Sequence, residues 1–133
     1  MKRWLVTVLL VLFQGVSLAG GWADMAEEVV VRIDEAESLY LSGDAKGAGR
    51  SVVEAYFGIF EDKKMEAAIR TTLGSKHAWK VERLFGKMRK LIKKGASAEE
   101  LKAAAVKVRE AVRRDSLVLD EKEIPLAVFD PTK

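Results

Sequence analysis

Apolar residues recur at every third or fourth position along most of the chain after residue 24, which is the spacing of one face of an α-helix. In the first such segment the apolar positions are Ala26, Val29, Val30, Ile33, Ala36 and Tyr40. Polar residues fill the positions between them, so each predicted helix has one apolar stripe. A chain built from such segments must bury the stripes against one another, and this requirement favours a helical bundle.

Short boundary motifs divide the periodic sequence into helices. In "SGD" at 42–44, Gly43 suits the left-handed residue that ends a helix, and Asp44 suits the N-cap of the next one. The second helix is predicted over about 45–60. Its glycines, Gly47 and Gly49, each lower helix stability by roughly 1 kcal/mol unless they allow a close approach to the first helix. The sequence "EDKK" that follows predicts a corner.

A third periodic segment covers about 65–92, which corresponds to roughly 45 Å of helix. Because its neighbours are shorter, we predict a kink or a one-turn break within "TTLGS" at 71–75, which has two β-branched residues followed by Gly74 and a possible cap, Ser75. In "KKGASAEE", Gly95 ends this helix and Ser97 caps the last one. The apolar pattern of the last helix fades after Arg114.

Together these segments predict an all-α protein: an up-and-down four-helix bundle over 24–117 with a kinked third helix. Residues 118–133 contain Pro125, Pro131 and the apolar stretch "IPLAVF". We predict that they form an extended tail, which lies along the bundle or docks on another molecule.

The start of the chain, residues 1–23, has the layout of a secretory signal peptide. The basic sequence "MKR" precedes an apolar run over 4–13, and small residues follow, so cleavage would fall after Ala19 or after Ala23. The alternative is an uncleaved membrane anchor, but the apolar run has about ten residues whereas a span needs roughly twenty. We therefore predict a periplasmic protein with no stable membrane insertion once the leader is removed.

Charge is unevenly distributed along the predicted mature chain. Residues 24–62 carry ten acids and three bases, whereas residues 63–94 carry eleven bases and two acids. We expect these two segments to attract each other as antiparallel neighbours, although an exposed ion pair contributes only about 0–1 kcal/mol.

The basic segment includes the run "KMRKLIKK" at 87–94, with Lys76, Lys80 and Arg83 on the same predicted helix. Such a face attracts anionic lipid or an acidic partner, or it is simply solvated. Nucleic acid is not an expected partner because the predicted compartment lies outside the cytoplasm.

The residue types present limit the chemistry. The chain has no cysteine and a single histidine, His77, and it contains neither a Gly-x-Ser-x-Gly turn nor a phosphate-binding glycine loop. A catalytic triad and a metal site of histidine and thiolate ligands are therefore not predicted, and we do not expect an enzyme. We expect His77 to be an exposed or half-buried residue that forms a hydrogen bond.

Four carboxylates lie near the predicted corner between the second and third helices. Glu54 and Glu61 are seven residues apart, and Asp62 and Glu66 are four apart, so each pair shares a helix face. Hard ions such as iron, manganese and calcium prefer oxygen ligands, which makes a metal site one hypothesis. The alternative is that these acids pair with nearby Lys and Arg side chains.

Three aromatic residues precede the same corner: Tyr56, Phe57 and Phe60. We predict that most of this aromatic surface is core. Because three closely spaced aromatics cannot all face one side of a helix, we predict that Phe57 or Phe60 contacts the chain beyond the corner or a partner protein.

The stretch "AYFGIFEDKKMEAAIR" at 55–70 combines Tyr-Phe-x-x-Phe-Glu with Met-Glu-x-x-Ile. It resembles the periplasmic N-terminal domain of bacterial high-affinity iron permeases, and the resemblance extends over about 29–115. The positions that match this motif are Tyr56, Phe57, Phe60, Glu61, Met65, Glu66 and Ile69.

The resemblance implies an extracytoplasmic helical domain that works next to a ferric-iron permease. In the permease part of that family, paired Arg-Glu-x-x-Glu motifs carry the iron; here the nearest string, "REAVR" at 109–113, has arginine in place of the second glutamate. We therefore expect an accessory protein for uptake of iron or another metal ion, which binds ions weakly or docks on an inner-membrane permease or an envelope oxidase. The alternative is a structural interaction module of the cell envelope without a metal role.

Overall fold

Five α-helices make up most of residues 21–129, the part of the chain that the computed structural model describes. They are α1 (Trp22–Leu41), α2 (Ala45–Val53), α3 (Met65–Leu73), α4 (Ser75–Lys94) and α5 (Ala98–Glu121); a π-helix (Glu54–Glu61) continues α2, and a short 3₁₀ helix (Leu126–Phe129) follows α5. No strand occurs within these residues, which confirms the prediction of an all-α protein. The predicted leader up to residue 20, and residues 130–133 of the predicted tail, lie outside the described part.

Glycine and cap residues end and begin the helices where the sequence predicts. Gly43 and Gly95 have φ angles of 90° and 74°, the left-handed conformation that glycine adopts without steric cost. The Asp44 carboxylate accepts a hydrogen bond from a backbone N–H of α2 at 2.8 Å, and the Ser97 hydroxyl does the same for α5 at 3.2 Å. Each bond satisfies a donor that has no partner within the first turn of its helix.

The two glycines of α2 have different surroundings. A Cβ at Gly47 would overlap a carboxylate oxygen of Asp44, so the capping side chain would have to shift to admit another residue there. At Gly49 no described atom of another helix lies within 4 Å of the position that a Cβ would occupy. The expectation that Gly49 allows a close approach of α1 is therefore wrong.

Gly74 separates α3 from α4. Its backbone has φ 97° and ψ 155°, a combination that is essentially restricted to glycine. The N–H of Gly74 still donates to the carbonyl oxygen of Arg70 at 3.1 Å, and α4 begins at the next residue. The long periodic segment of the sequence therefore forms two helices with a glycine between them.

The backbone changes its winding after α2. It is π-helical from Glu54 to Glu61, and the corner ends at Lys64, whose φ of 69° is left-handed. The sequence predicts a regular α-helix up to about residue 60, so this winding was not foreseen. π-helical turns are rare and often lie at functional sites.

The last helix is longer than the sequence predicts. The apolar pattern fades after Arg114, but α5 continues to Glu121. Asp115 and Leu119 are both buried in this additional part. The prediction of an extended tail over 118–133 is therefore wrong for residues 118–121, which are helical. The helix was predicted too short because the buried stripe includes a polar residue, Asp115, which interrupts the apolar pattern.

The described part of the tail folds back onto the start of α1. Ile124 is half-buried, and its carbonyl oxygen accepts a hydrogen bond from the indole N–H of Trp22 at 2.7 Å. The Trp22 side chain is itself buried. Within the described tail, Ile124 therefore contacts the helices, whereas Pro125, Leu126 and Ala127 are exposed.

Four of the helices contact one another in a closed cycle. α1 packs against α2 and α5, and α4 packs against the same two helices. The core between them contains the apolar stripes that the periodicity predicts, and its largest fully buried side chains are Trp22, Phe60, Phe85, Ile33, Met65 and Ile69. None of the helices within residues 21–129 has the length and apolar character needed to cross a membrane.

The acids of α1 are neutralised mainly by α5. Arg113 donates two hydrogen bonds to the carboxylate of Glu27, at 2.8 and 3.1 Å, and Arg109 donates to Asp34 at 3.0 Å. Among the described residues of the basic segment, only Lys63 pairs with an acid of α1. The predicted attraction between the acidic segment and the basic segment thus produces one ion pair. Most acids of the first lie on α1 and most bases of the second lie on α4, and these two helices are not neighbours.

Candidate functional site

The π-helix distributes three aromatic side chains between the core and the solvent; we call Tyr56, Phe57 and Phe60 the aromatic corner. Phe60 is fully buried, with its ring 5.0 Å from that of Phe85. Tyr56 is half-buried and lies 5.4 Å from the same ring. Phe57 meets the edge of Tyr56 at 4.7 Å but is 49% exposed. This confirms that the three cannot share one side, and Phe57 is the ring that faces the solvent.

The four predicted metal-ligating acids do not form one cluster. Glu54 lies at the surface, 3.7 Å from Arg32, while Glu61 and Asp62 are exposed on the corner. Within residues 21–129 there is no group of three or more His, Cys, Asp or Glu side chains that could hold a metal ion. The structure therefore gives the predicted ligand set no common coordination point.

Glu66 instead belongs to a different group of polar side chains. Arg70, one helical turn further along α3, donates a hydrogen bond from Nε to the Glu66 carboxylate at 2.8 Å. The same guanidinium lies 3.4 Å from Glu82 on α4, and the side chain of Glu82 interacts with that of Tyr56. Two carboxylates from neighbouring helices thus share one arginine. The four-residue spacing in the sequence indicates the pairing of Glu66 with Arg70, but it gives no sign of Glu82.

Protonation in this group differs from that of free side chains. Burial raises the pKa of Glu82, and the nearby Glu66 carboxylate raises it further. Burial also raises the pKa of Tyr56 to about 12, with a contribution from Glu82. Both effects have the same origin, because negative charge is costly where a group is partly removed from water and faces another acid.

This carboxylate pair has limited chemical capacity in the arrangement described. Arg70 already neutralises Glu66, and its side chain is about half exposed, so it could move aside for another cation. Two carboxylates and a phenol are oxygen ligands suited to a hard ion. The chain has no cysteine, and its single histidine lies beside Asp115, so carboxylate and phenol oxygens are the ligand atoms of this group.

His77 forms the hydrogen bond that the sequence predicts. Its Nε2 lies 2.8 Å from a carboxylate oxygen of Asp115 on α5, and its side chain is about one third exposed. Asp115 is buried and also lies 3.5 Å from Arg114. The partner could not be identified from the sequence, because the two residues lie on different helices.

A groove of about 930 Å³ runs between α2 and α4, and sequence reasoning did not identify it. Gly49, Val53, Gly86 and Ile92, all half-buried or buried, form an apolar floor. The exposed basic side chains along its edges are Lys46, Arg50, Arg89, Lys90 and Lys93. Within residues 21–129 none of these five forms an ion pair. In the sequence, the basic run "KMRKLIKK" was the only sign of this groove.

No protein-family model, curated protein or solved structure matches this chain. The resemblance to the exported domain of iron permeases therefore rests on the sequence motif at 55–70. What the structure defines is a class, an all-helical domain with one exposed ring, Phe57, in its aromatic corner and with a basic groove.

Proposed function

We propose that this chain is a non-enzymatic accessory protein of the cell envelope that binds a partner protein through its aromatic corner. The proposal treats the chain as a four-helix bundle whose third helix is kinked at Gly74, and as a periplasmic protein whose leader is removed. By the resemblance to iron permeases, the partner is an inner-membrane permease or an envelope oxidase.

The observation that carries this proposal is the exposure of Phe57 on a π-helical turn. Its neighbour Phe60 is fully buried, so the turn is anchored in the core while Phe57 remains 49% exposed. Full burial of a phenylalanine side chain is worth about 1.5–3 kcal/mol, and part of this is not gained within the monomer. Aromatic side chains are enriched in the cores of protein interfaces, where a partner would complete that burial.

Site-specific photo-crosslinking in intact cells tests the proposal. A benzophenone amino acid replaces Phe57, and in a second protein it replaces Leu117, which is also exposed but lies on α5. We expect a discrete cross-linked species from position 57, identified by mass spectrometry as an envelope permease or oxidase. No such species is expected from position 117.

Two outcomes would contradict this function. One is the absence of any discrete cross-link at position 57 when the protein is folded and exported. The other is the same set of cross-links from both positions, which would indicate non-specific contact with abundant envelope proteins.

A second candidate function is weak binding of a metal ion during uptake, and the pairing of Glu66 with Glu82 supports it. Two carboxylates placed close together repel each other, and a bound cation would relieve that repulsion. The pKa of Glu82, which burial and Glu66 raise, reflects the free-energy cost of holding negative charge at this place. In this version the ion would displace the exposed guanidinium of Arg70.

Calorimetric titration of the secreted protein with ferric citrate, ferrous and manganese salts tests metal binding. We expect a heat of binding that the Glu66→Gln and Glu82→Gln variants both lose. Glu99→Gln, an exposed acid in the first turn of α5, serves as the control and should bind as the unmodified protein does. A heat that persists in both variants would exclude this pair as the site.

A further inference from the structure

We propose that the groove between α2 and α4 is the docking site for an acidic amphipathic helix of a partner protein. The inference uses residues on a different surface from the aromatic corner, and it does not depend on the function proposed above. Three features carry it: two glycines on the floor, five bases on the edges that form no ion pair with a described residue, and the shape of the groove.

The glycines on the floor have no role in packing this chain. Gly49 lies in α2 and Gly86 in the middle of α4, where glycine is the least favourable residue apart from proline. Apart from the adjoining residues and the backbone of the same helix turn, no described atom lies within 4 Å of the place that a Cβ would take at either position. The space above both glycines is open on the side of the groove, and a second helix could therefore approach the two backbones closely.

The edges of the groove carry five bases that form no ion pair with a described residue, and the one acid in the lining, Glu54, lies 3.7 Å from Arg32. Arg50 lies on the α2 edge, and Arg89, Lys90 and Lys93 lie on the α4 edge. None of the Lys and Arg side chains of α4 forms an ion pair with a described residue. Opposite charges arranged across an interface guide association and fix the register of the partners. An occupant of this groove should therefore be acidic along both of its flanks.

The shape of the groove fits a helix. Its lining residues on α2 run from Ala45 to Val53 with helical spacing, which corresponds to about 12 Å along the axis. Its lining residues on α4 include Gly86, Arg89 and Lys93, again three and four apart. Roughly nine residues of a partner helix would cover this length, with apolar residues towards the floor and acids towards both edges. A flat membrane surface would contact the edges but not the concave floor.

Other segments of this chain match the groove poorly. The most acidic face of the chain is that of α1, but Glu27, Glu28, Asp34 and Glu35 already form ion pairs within the monomer. A second copy would have to break these pairs in order to bind. The only charged residues in the sequence of residues 1–20 are bases, and residues 130–133 carry one acid and one base.

Binding of a synthetic peptide to the secreted protein tests the inference. The probe is a fluorescein-labelled helical peptide of about fourteen residues, made of Glu, Ala and Leu so that acids flank one apolar face. A scrambled peptide of the same composition has the same charge but no apolar face. Fluorescence anisotropy gives both dissociation constants, and we expect the ordered peptide to bind at least about tenfold more tightly.

Two variants test separately how the floor and the edges of the groove contribute to peptide binding. Gly86→Leu fills the floor with a side chain that meets no other atom of the chain at its Cβ, so the thermal midpoint should be unchanged or higher while the affinity falls about tenfold. Arg89→Glu combined with Lys90→Glu should weaken binding by a similar factor and remove most of its dependence on salt. Lys107, an exposed base on α5, forms no ion pair with a described residue, so Lys107→Glu should bind as the unmodified protein does.

The following results would overturn the inference. Equal affinity for the scrambled peptide would show attraction by charge alone, and unchanged binding by the folded Gly86→Leu variant would place the contact elsewhere. Vesicles rich in phosphatidylglycerol that displace the peptide would assign the basic face to a membrane. Self-association in sedimentation experiments that the double charge reversal abolishes would assign the groove to a second copy of this chain.

Discussion

The carboxylate of Asp120, near the end of α5, caps the start of α1 by accepting hydrogen bonds from the backbone N–H groups of Trp22 and Ala23 at 2.8 and 2.9 Å. Gly21, which occupies the N-cap position of α1, has no side chain that could do so. A carboxylate at this place also interacts favourably with the helix dipole. The cap therefore joins the first and last helices, which are almost the full length of the described chain apart.

We expect Asp120→Ala to lower the free energy of unfolding by about 1–2 kcal/mol, because two backbone donors lose their acceptor. Asp120→Asn should cost less, since an amide oxygen can still accept one hydrogen bond. Urea unfolding followed by circular dichroism measures both values. Glu121→Gln, at the exposed neighbouring position, is the control, and an equal loss in Asp120→Ala and the control would contradict the capping role.

Removal of the Trp22 side chain should destabilise the protein strongly. The indole is 1% exposed and donates to the carbonyl oxygen of Ile124, so we expect Trp22→Ala to cost about 3–5 kcal/mol. The matched control is Trp79→Ala, because Trp79 is 51% exposed on α4. Thermal unfolding should show a large difference between the two variants, and similar midpoints would argue against burial of Trp22.

The same residue bears on the processing of the predicted leader. Cleavage after Ala23 would remove both Trp22 and Ala23, and with them both backbone N–H groups that donate to Asp120. We therefore expect the secreted form to begin after Ala19, which leaves α1 complete. Intact-mass measurement of the exported protein decides the matter, and a mature chain that begins at Asp24 would contradict the expectation.

Two glycines should respond in opposite ways to substitution by alanine. Gly74 has a φ of 97°, which alanine adopts only with strain, so Gly74→Ala should lower the free energy of unfolding by about 1–3 kcal/mol. Gly49 lies within α2 with open space around it, so Gly49→Ala should raise that free energy by about 0.5–1 kcal/mol. Denaturant unfolding of both proteins tests this, and a shift of the same sign in both would contradict it.

The acids Glu82 and Glu27 should give opposite pH dependences of stability. Burial, together with Glu66, raises the pKa of Glu82, so its stabilising contribution is present below the ordinary glutamate pKa and is lost as the pH rises through the raised value. A hydrogen bond from Arg113 lowers the pKa of Glu27, so its contribution is present above the ordinary pKa and is lost as the pH falls.

Measurement of unfolding free energies between about pH 3 and pH 7 tests this difference, since the ordinary glutamate pKa is about 4.3. Relative to the unmodified protein, Glu82→Gln should become more stable as the pH rises, whereas Glu27→Gln should become less stable. The Glu27 effect should be the smaller one, because that ion pair is more than half exposed to solvent. Difference curves that slope in the same direction would contradict both assignments.

The sequence by itself determined the helices and most of their ends. Gly43, Asp44, Gly95 and Ser97 were assigned correctly because a helix end is satisfied by groups within a few residues of it. The apolar stripes likewise predicted the core, since periodicity fixes which residues share one face of a helix. The break at Gly74 follows from the same local logic.

Only the tertiary structure decided which helices are neighbours, and with that the content of the candidate sites. Glu66 pairs with Arg70 and meets Glu82 rather than joining the other acids of the corner, and His77 meets Asp115. The net charge of a sequence segment could not predict these pairs, because Coulomb attraction falls with distance and only the packing decides which charged residues are close. The groove and its open glycines have the same origin, since they exist only where α2 and α4 lie side by side.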